Sequence, residues 1–88
     1  MEKQLHILKN KADSKAQSII EILSEKYPEK IKVVLIQEGK KVIPTWKCKT
    51  YHLIDEISDP VAVPKEIERI DYSQLVDLLF ESESIVGW

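Results

Sequence analysis

The stretch Ile31-Lys32-Val33-Val34-Leu35-Ile36-Gln37-Glu38-Gly39 carries four consecutive apolar residues, Val33 to Ile36, between charged and turn-forming neighbours. Such a run is too short for an independent helix and is rich in β-branched side chains, which fit a pleated surface. It lacks the apolar–polar alternation of a strand with one wet face. It therefore predicts a strand covered on both faces, the situation inside a parallel sheet flanked by helices. Gly39 then turns the chain.

Toward the N-terminus, Ala12, Ala16, Ile19, Ile20, Leu23 and Tyr27 recur at helical spacing and fall on one stripe. This predicts an amphipathic helix from near Ser14 to near Lys26. Ser14 and Gln17 have capping-box spacing, and Tyr27-Pro28 ends the pattern. Before the helix, Leu5-His6-Ile7-Leu8 reads as a short buried strand that opens into the polar Lys9-Asn10-Lys11.

Toward the C-terminus, the segment from Lys40 to Cys48 contains Pro44 and falls short of the dozen or so residues that a parallel crossover usually takes, so at most a short helical turn is expected there. Thr50 to Ile54 reads as a third strand. Pro60 and Pro64 frame Val61-Ala62-Val63, which predicts a loop between Ile57 and Lys65. Ile67 to Ile70 follows as a short fourth strand, and Asp71 or its neighbour caps a closing helix. On that helix Tyr72, Leu75, Val76, Leu79 and Phe80 are expected on one broad face, with Leu78 displaced from it. Strands and helices alternate, so the predicted fold is a small single-domain α/β protein spanning residues 1–88. Its sheet is expected to be mainly parallel and four-stranded, with helices on its faces.

At 88 residues the chain holds one domain, and a domain of this size buries only about 60% of the surface of its unfolded chain, so oligomerisation would add stability. With 13 basic and 15 acidic residues and a net charge of −2 it has neither the basic footprint of a nucleic-acid binder nor an acidic tail. Direct nucleic-acid binding is not expected. The single cysteine forms no internal disulfide, no apolar run approaches the roughly 18 residues of a membrane span, and Met1-Glu2-Lys3-Gln4 lacks the apolar core of a signal peptide. These features predict a reduced, cytoplasmic protein that does not enter the membrane.

The ending Ile70-Asp71-Tyr72-Ser73-Gln74-Leu75-Val76-Asp77-Leu78-Leu79-Phe80, followed by Ile85-Val86-Gly87-Trp88, joins a strand end, a capped apolar helix and a final tryptophan. Taken with Leu5 to Leu8 and Val33 to Gly39, it resembles the TusB/DsrH family of sulfur-relay proteins, small α/β subunits whose chains typically close with a tyrosine-led helix and a tryptophan. The resemblance implies the strand order 2-1-3-4 and, commonly, a longer helix where this chain has Lys40 to Cys48. It also implies a structural subunit of a cytoplasmic sulfur-relay complex with DsrE-like and DsrF-like (TusD-like and TusC-like) partners. Such complexes pass persulfide sulfur toward 2-thiouridine at the tRNA wobble position or, in sulfur oxidisers, through dissimilatory sulfur metabolism. No cofactor is implied.

Cys48 is the only thiol and hence the candidate persulfide carrier if the chain is itself a sulfurtransferase. The resemblance argues against that role. Related catalytic subunits carry the reactive cysteine beyond the third strand, where this chain has Asp55-Glu56. Some family members have one in the first helix, where this chain has Ile19 and Ile20. Lys47 and Lys49 flank Cys48 and would lower its pKa and favour its thiolate, whereas most lone cysteines are small structural side chains.

His6 and His52 would sit on neighbouring strands in the implied order, but Cys48 and His52, four strand residues apart, are roughly 13 Å from each other and cannot share a metal shell. Asn10, Gln37, Glu38, Asp55 and Glu56 fall at the strand ends where open parallel sheets place ligands. They come without a glycine-rich phosphate loop or a nucleophile. Trp46, Val61, Val63, Leu78 and Trp88 exceed what one small core needs and are the interface candidates for a homo- or hetero-oligomer. For Trp46 and Trp88 the alternative is that they fold back over the core. A third reading of the whole chain is a stand-alone homo-oligomeric ligand-binding protein.

Overall fold

The computed structural model describes residues 2–54 and 67–88. Five strands, β1 (Gln4–Leu8), β2 (Ile31–Leu35), β3 (Lys49–Leu53), β4 (Glu68–Ile70) and β5 (Ser84–Gly87), are joined through two helices, α1 (Ser14–Lys26) and α2 (Tyr72–Glu81), and a 3-10 turn at Gln37–Lys41. Among the described residues every strand pairing is parallel, and the order across the sheet is β4-β3-β2-β1-β5.

The α/β class and the parallel sheet are as the sequence predicts, but the sheet departs from the expected four strands in order 2-1-3-4. Here β2 stands between β1 and β3, with two strands on either side of it. The reason lies in Val33-Val34-Leu35: all three are fully buried, and the strand with apolar residues on both faces takes the centre, where both faces are covered. The fifth strand comes from Ile85-Val86, a β-branched pair that adds to the free edge of β1. Ser84 N–H donates to the Lys3 carbonyl at 3.1 Å and Trp88 N–H to the Ile7 carbonyl at 3.0 Å, so the ladder holds both ends of the strand.

From β1 to β3 the chain steps across the sheet in one direction, and right-handed crossovers place α1 and the connection through Trp46 on one face. The return from β4 at one edge to β5 at the other places α2 on the opposite face. Two cores result. On the α1 face, Leu8, Val33 and Leu35 pack with Ala16, Ile20, Trp46 and Cys48. On the α2 face, Leu5, Val34, Tyr51, Leu53 and Ile70 pack with Leu78.

Helix α1 has the predicted bounds but a different cap. Asp13 accepts from Ala16 N–H at 2.9 Å, while Gln17 donates to the Lys11 carbonyl at 3.2 Å instead of closing a box with Ser14. An ionised carboxylate one residue earlier is at least as good an acceptor as the Ser14 hydroxyl. Helix α2 carries the full reciprocal cap: Gln74 N–H donates to Asp71 Oδ1 at 2.8 Å, and Asp71 N–H donates to Gln74 Oε1 at 2.9 Å.

The connection between β2 and β3 is reduced and irregular, as its length and Pro44 predict. Gly39 makes it possible, because a Cβ there would collide with the carbonyl oxygen of Leu8. Beyond the 3-10 turn, Lys47 N–H donates to the buried Ser24 hydroxyl at 3.3 Å, which ties the segment to α1. The predicted loop from Ile57 to Lys65 lies outside the described residues.

Candidate functional site

Cys48 sits just before β3, at the N-terminal edge of the sheet, and only 9% of it is exposed. It packs in the α1-face core near Trp46. The expectation that Lys47 and Lys49 would favour its thiolate is reversed: burial pushes the thiol up to about 11, the cost of desolvating a charge, while a backbone hydrogen bond acts weakly the other way. At neutral pH Cys48 is a neutral side chain inside a core. Ile19, where some members of the resembled family carry a cysteine, is half-buried on α1, and Ile20 is buried in the core.

Trp46 is buried beside it. The indole Nε1–H donates to Thr50 Oγ1 at 2.7 Å, and the Thr50 hydroxyl donates onward to the Cys48 carbonyl at 3.2 Å. Trp46 is thus core and not interface. Its ring packs in the α1-face core, and its one polar atom is satisfied in place. Leu78 is also core. At helical spacing Leu75, Leu78 and Leu79 point at the sheet together, so the face of α2 is rotated from the predicted one. Val61 and Val63 lie outside the described residues.

Trp88 folds back over the α1 face, half-buried against the core. Its indole Nε1–H donates to Nδ1 of His6 at 3.1 Å, and the two rings are nearly parallel, 13° apart with centroids 6.1 Å apart. An indole N–H can only donate, so His6 Nδ1 must be unprotonated. The proton then resides on Nε2, which lies 3.1 Å from Gln4 Oε1. Gln4, His6 and Trp88 form a chain of hydrogen bonds that fixes one neutral tautomer. Burial pulls the His6 pKa below its ordinary value.

His52 is buried on the same face of the sheet, but β2 separates β1 from β3, so the two histidines are not on neighbouring strands. Among the described residues no three histidine, cysteine or acidic side chains gather as metal ligands.

The polar residues at the strand ends disperse into local roles. Asn10 Oδ1 accepts from Ala12 N–H at 2.9 Å, and Glu38 pairs with Lys41 at 3.0 Å, which lowers its pKa through the hydrogen bond and the nearby positive charge. Gln37 holds a left-handed backbone with φ of 50° at the start of the 3-10 turn. Asp55 and Glu56 lie outside the described residues. At these strand ends is a cavity of about 310 Å³ lined by Ile7, Ile36, Gln37, Lys40, Leu53, Tyr72 and Leu75. Its floor is aliphatic, and among the described residues that line it there is no nucleophile beside a base.

From Tyr72 at this cavity, exposed apolar side chains continue along α2. Tyr72, Val76 and Phe80, spaced by four along α2, are 55%, 45% and 86% exposed, and Ile85 on β5 is 52% exposed. The sequence reading groups the first three with Leu75 and Leu79 on one broad face. Their i, i+4, i+8 spacing beside the Leu75-Leu78-Leu79 set is the signal that separates the two faces.

No family model matches the chain, and no curated protein matches it in sequence. The described residues include no helix long and apolar enough to cross a membrane.

Proposed function

We propose that this protein is a structural, non-catalytic subunit of an assembly, and specifically of a cytoplasmic sulfur-relay complex with DsrE-like and DsrF-like neighbours. The observation that carries the non-catalytic part is the state of Cys48. A persulfide carrier works as an accessible thiolate, and this thiol is buried, with its pKa raised to about 11. The exposed stripe on α2 supplies a surface for association, since apolar patches of this kind mark interaction sites.

The sulfur-relay part rests on the chain's ending and its resemblance to the TusB/DsrH family. The strand order β4-β3-β2-β1-β5 does not support it, because that resemblance implies β1 in the centre. Co-expression with the DsrE-like and DsrF-like proteins of the same genome, followed by native mass spectrometry, tests it. A stable complex of defined stoichiometry is the expected result. Failure of the chain to join either protein removes the sulfur-relay assignment and leaves the non-catalytic reading to stand or fall on Cys48.

A further inference from the structure

We propose that the cavity at the carboxyl ends of β1, β2 and β3 binds a small amphipathic carboxylate, an aliphatic or aromatic acid of roughly ten non-hydrogen atoms. The inference does not depend on the sulfur-relay reading.

The place follows from the sheet. Ile7 lies near the carboxyl end of β1, Ile36 directly after β2 and Leu53 at the end of β3, and α2 adds Leu75 from its first turn. Open parallel sheets take their ligands outside these ends. Leu53 is buried, whereas Ile7, Ile36 and Leu75 are only half-buried, packed on the α2-face core but left with apolar surface. That surface floors the cavity of about 310 Å³, within the range of small-molecule pockets. At about 30 Å³ for each water of the liquid, it has room for roughly ten water-sized groups.

The 3-10 turn supplies the polar wall, and its orientation is fixed. With three residues per turn, positions i and i+3 share a face. Gln37 and Lys40 are one such pair, and both line the cavity. Glu38 and Lys41 are the next pair, and they close on each other at 3.0 Å on the solvent side. The acidic side chain of the turn is thus drawn away with Lys41, and the cation at the cavity is the half-buried Lys40. The turn is pressed onto the end of β1. Gly39 N–H donates to the Lys9 carbonyl at 3.2 Å and Ile36 N–H to the Leu8 carbonyl at 3.0 Å, an approach that a Cβ at Gly39 would prevent.

Gln37 marks the site a second way. Its φ of 50° is a left-handed conformation, uncommon for a residue other than glycine, and residues held so cluster at ligand sites. Glycine would relieve the backbone but would remove the amide that lines the cavity. Helix α2 supplies Tyr72 at its first position, held in place by the reciprocal cap of Asp71 and Gln74.

These groups set the ligand. An aliphatic floor suits an apolar body and would leave the phosphates of a nucleotide desolvated without partners. One ammonium beside an amide and a phenol matches a single carboxylate, whose two oxygens accept from Lys40 Nζ, Gln37 Nε2 and the Tyr72 hydroxyl.

Octanoate matches this size and is the probe. Titrated into isotope-labelled protein and followed by amide NMR, it is expected to bind saturably below about 1 mM, with the largest shifts in the 3-10 turn and the first turn of α2. Octanol, the same chain without the charge, should bind about tenfold more weakly. Lys40→Gln should weaken octanoate about tenfold and leave octanol unchanged. Gln37→Gly should weaken octanoate while the thermal midpoint holds or rises, since glycine takes the left-handed backbone without strain. Absence of saturable shifts up to about 10 mM overturns the inference, as do shifts centred away from these two turns. Octanol binding as tightly as octanoate also overturns it, and so does a Lys40→Gln or Gln37→Gly variant that keeps the parent affinity for octanoate.

Discussion

Removing the Trp88 indole tests how the C-terminal strand is held. In Trp88→Ala the chain loses an aromatic side chain packed on the α1-face core and the N–H that satisfies His6 Nδ1. Deleting a fully buried aromatic costs about 3–5 kcal/mol. Trp88 keeps part of its surface in water and sits on an edge strand, so the lower end, about 3 kcal/mol, is expected. Trp88→Phe keeps a ring in the same space but leaves the buried His6 acceptor without its donor, at a cost of about 1–2 kcal/mol.

Urea unfolding followed by far-UV circular dichroism measures both, at one low protein concentration so that self-association does not enter the comparison. With a denaturant slope near 1 kcal/mol/M for a small domain, Trp88→Ala should lower the midpoint by about 3 M and Trp88→Phe by about 1–2 M. A loss below about 0.5 kcal/mol in Trp88→Ala, the range of ordinary surface substitutions, would refute the idea that Trp88 anchors β5.

Three further outcomes follow from single positions. Because burial holds the His6 pKa below its ordinary 6.5, the stability linked to this group is complete above pH 6.5 and is lost as pH falls through the folded value; the imidazole carbon resonances of His6 should titrate below that of an unfolded histidine, with the indole N–H signal of Trp88 changing in step. Cys48 should react with a thiol reagent at pH 8 far more slowly in the native protein than in 8 M urea, and equal rates would show that it is not core. Gly39→Ala should destabilise by about 3 kcal/mol or more in thermal unfolding, since the added Cβ meets backbone that cannot move aside.

Much of the layer structure was legible in the sequence because periodicity reports burial directly. Val33 to Ile36 announced a doubly covered strand, and the stripe through Ala16 and Ile20 gave α1 its observed bounds. Strand order was not legible, since hydropathy marks which strand is central only when set against the other strands, and the order drawn from the resemblance placed β1 there. The faces of α2 were confused because eight of its positions are apolar or neutral, and only the spacing of Leu75, Leu78 and Leu79 against Tyr72, Val76 and Phe80 resolves them. β5 was hidden in a stretch too short to stand out, its strand character coming from pairing with β1. The partnership of Trp88 with His6 joins residues 82 positions apart, which no local pattern records.

The central claim is that this chain supports an assembly and carries no sulfur itself. Incubation with a cysteine desulfurase and labelled cysteine, alone and with DsrE-like and DsrF-like proteins present, followed by mass spectrometry of the peptide containing Trp46 to Lys49, tests it most directly. The account predicts no persulfide on Cys48, because a buried thiol held near pKa 11 does not attack a donor persulfide. Stoichiometric label on Cys48 that passes on to an acceptor would contradict it and make the protein a sulfurtransferase.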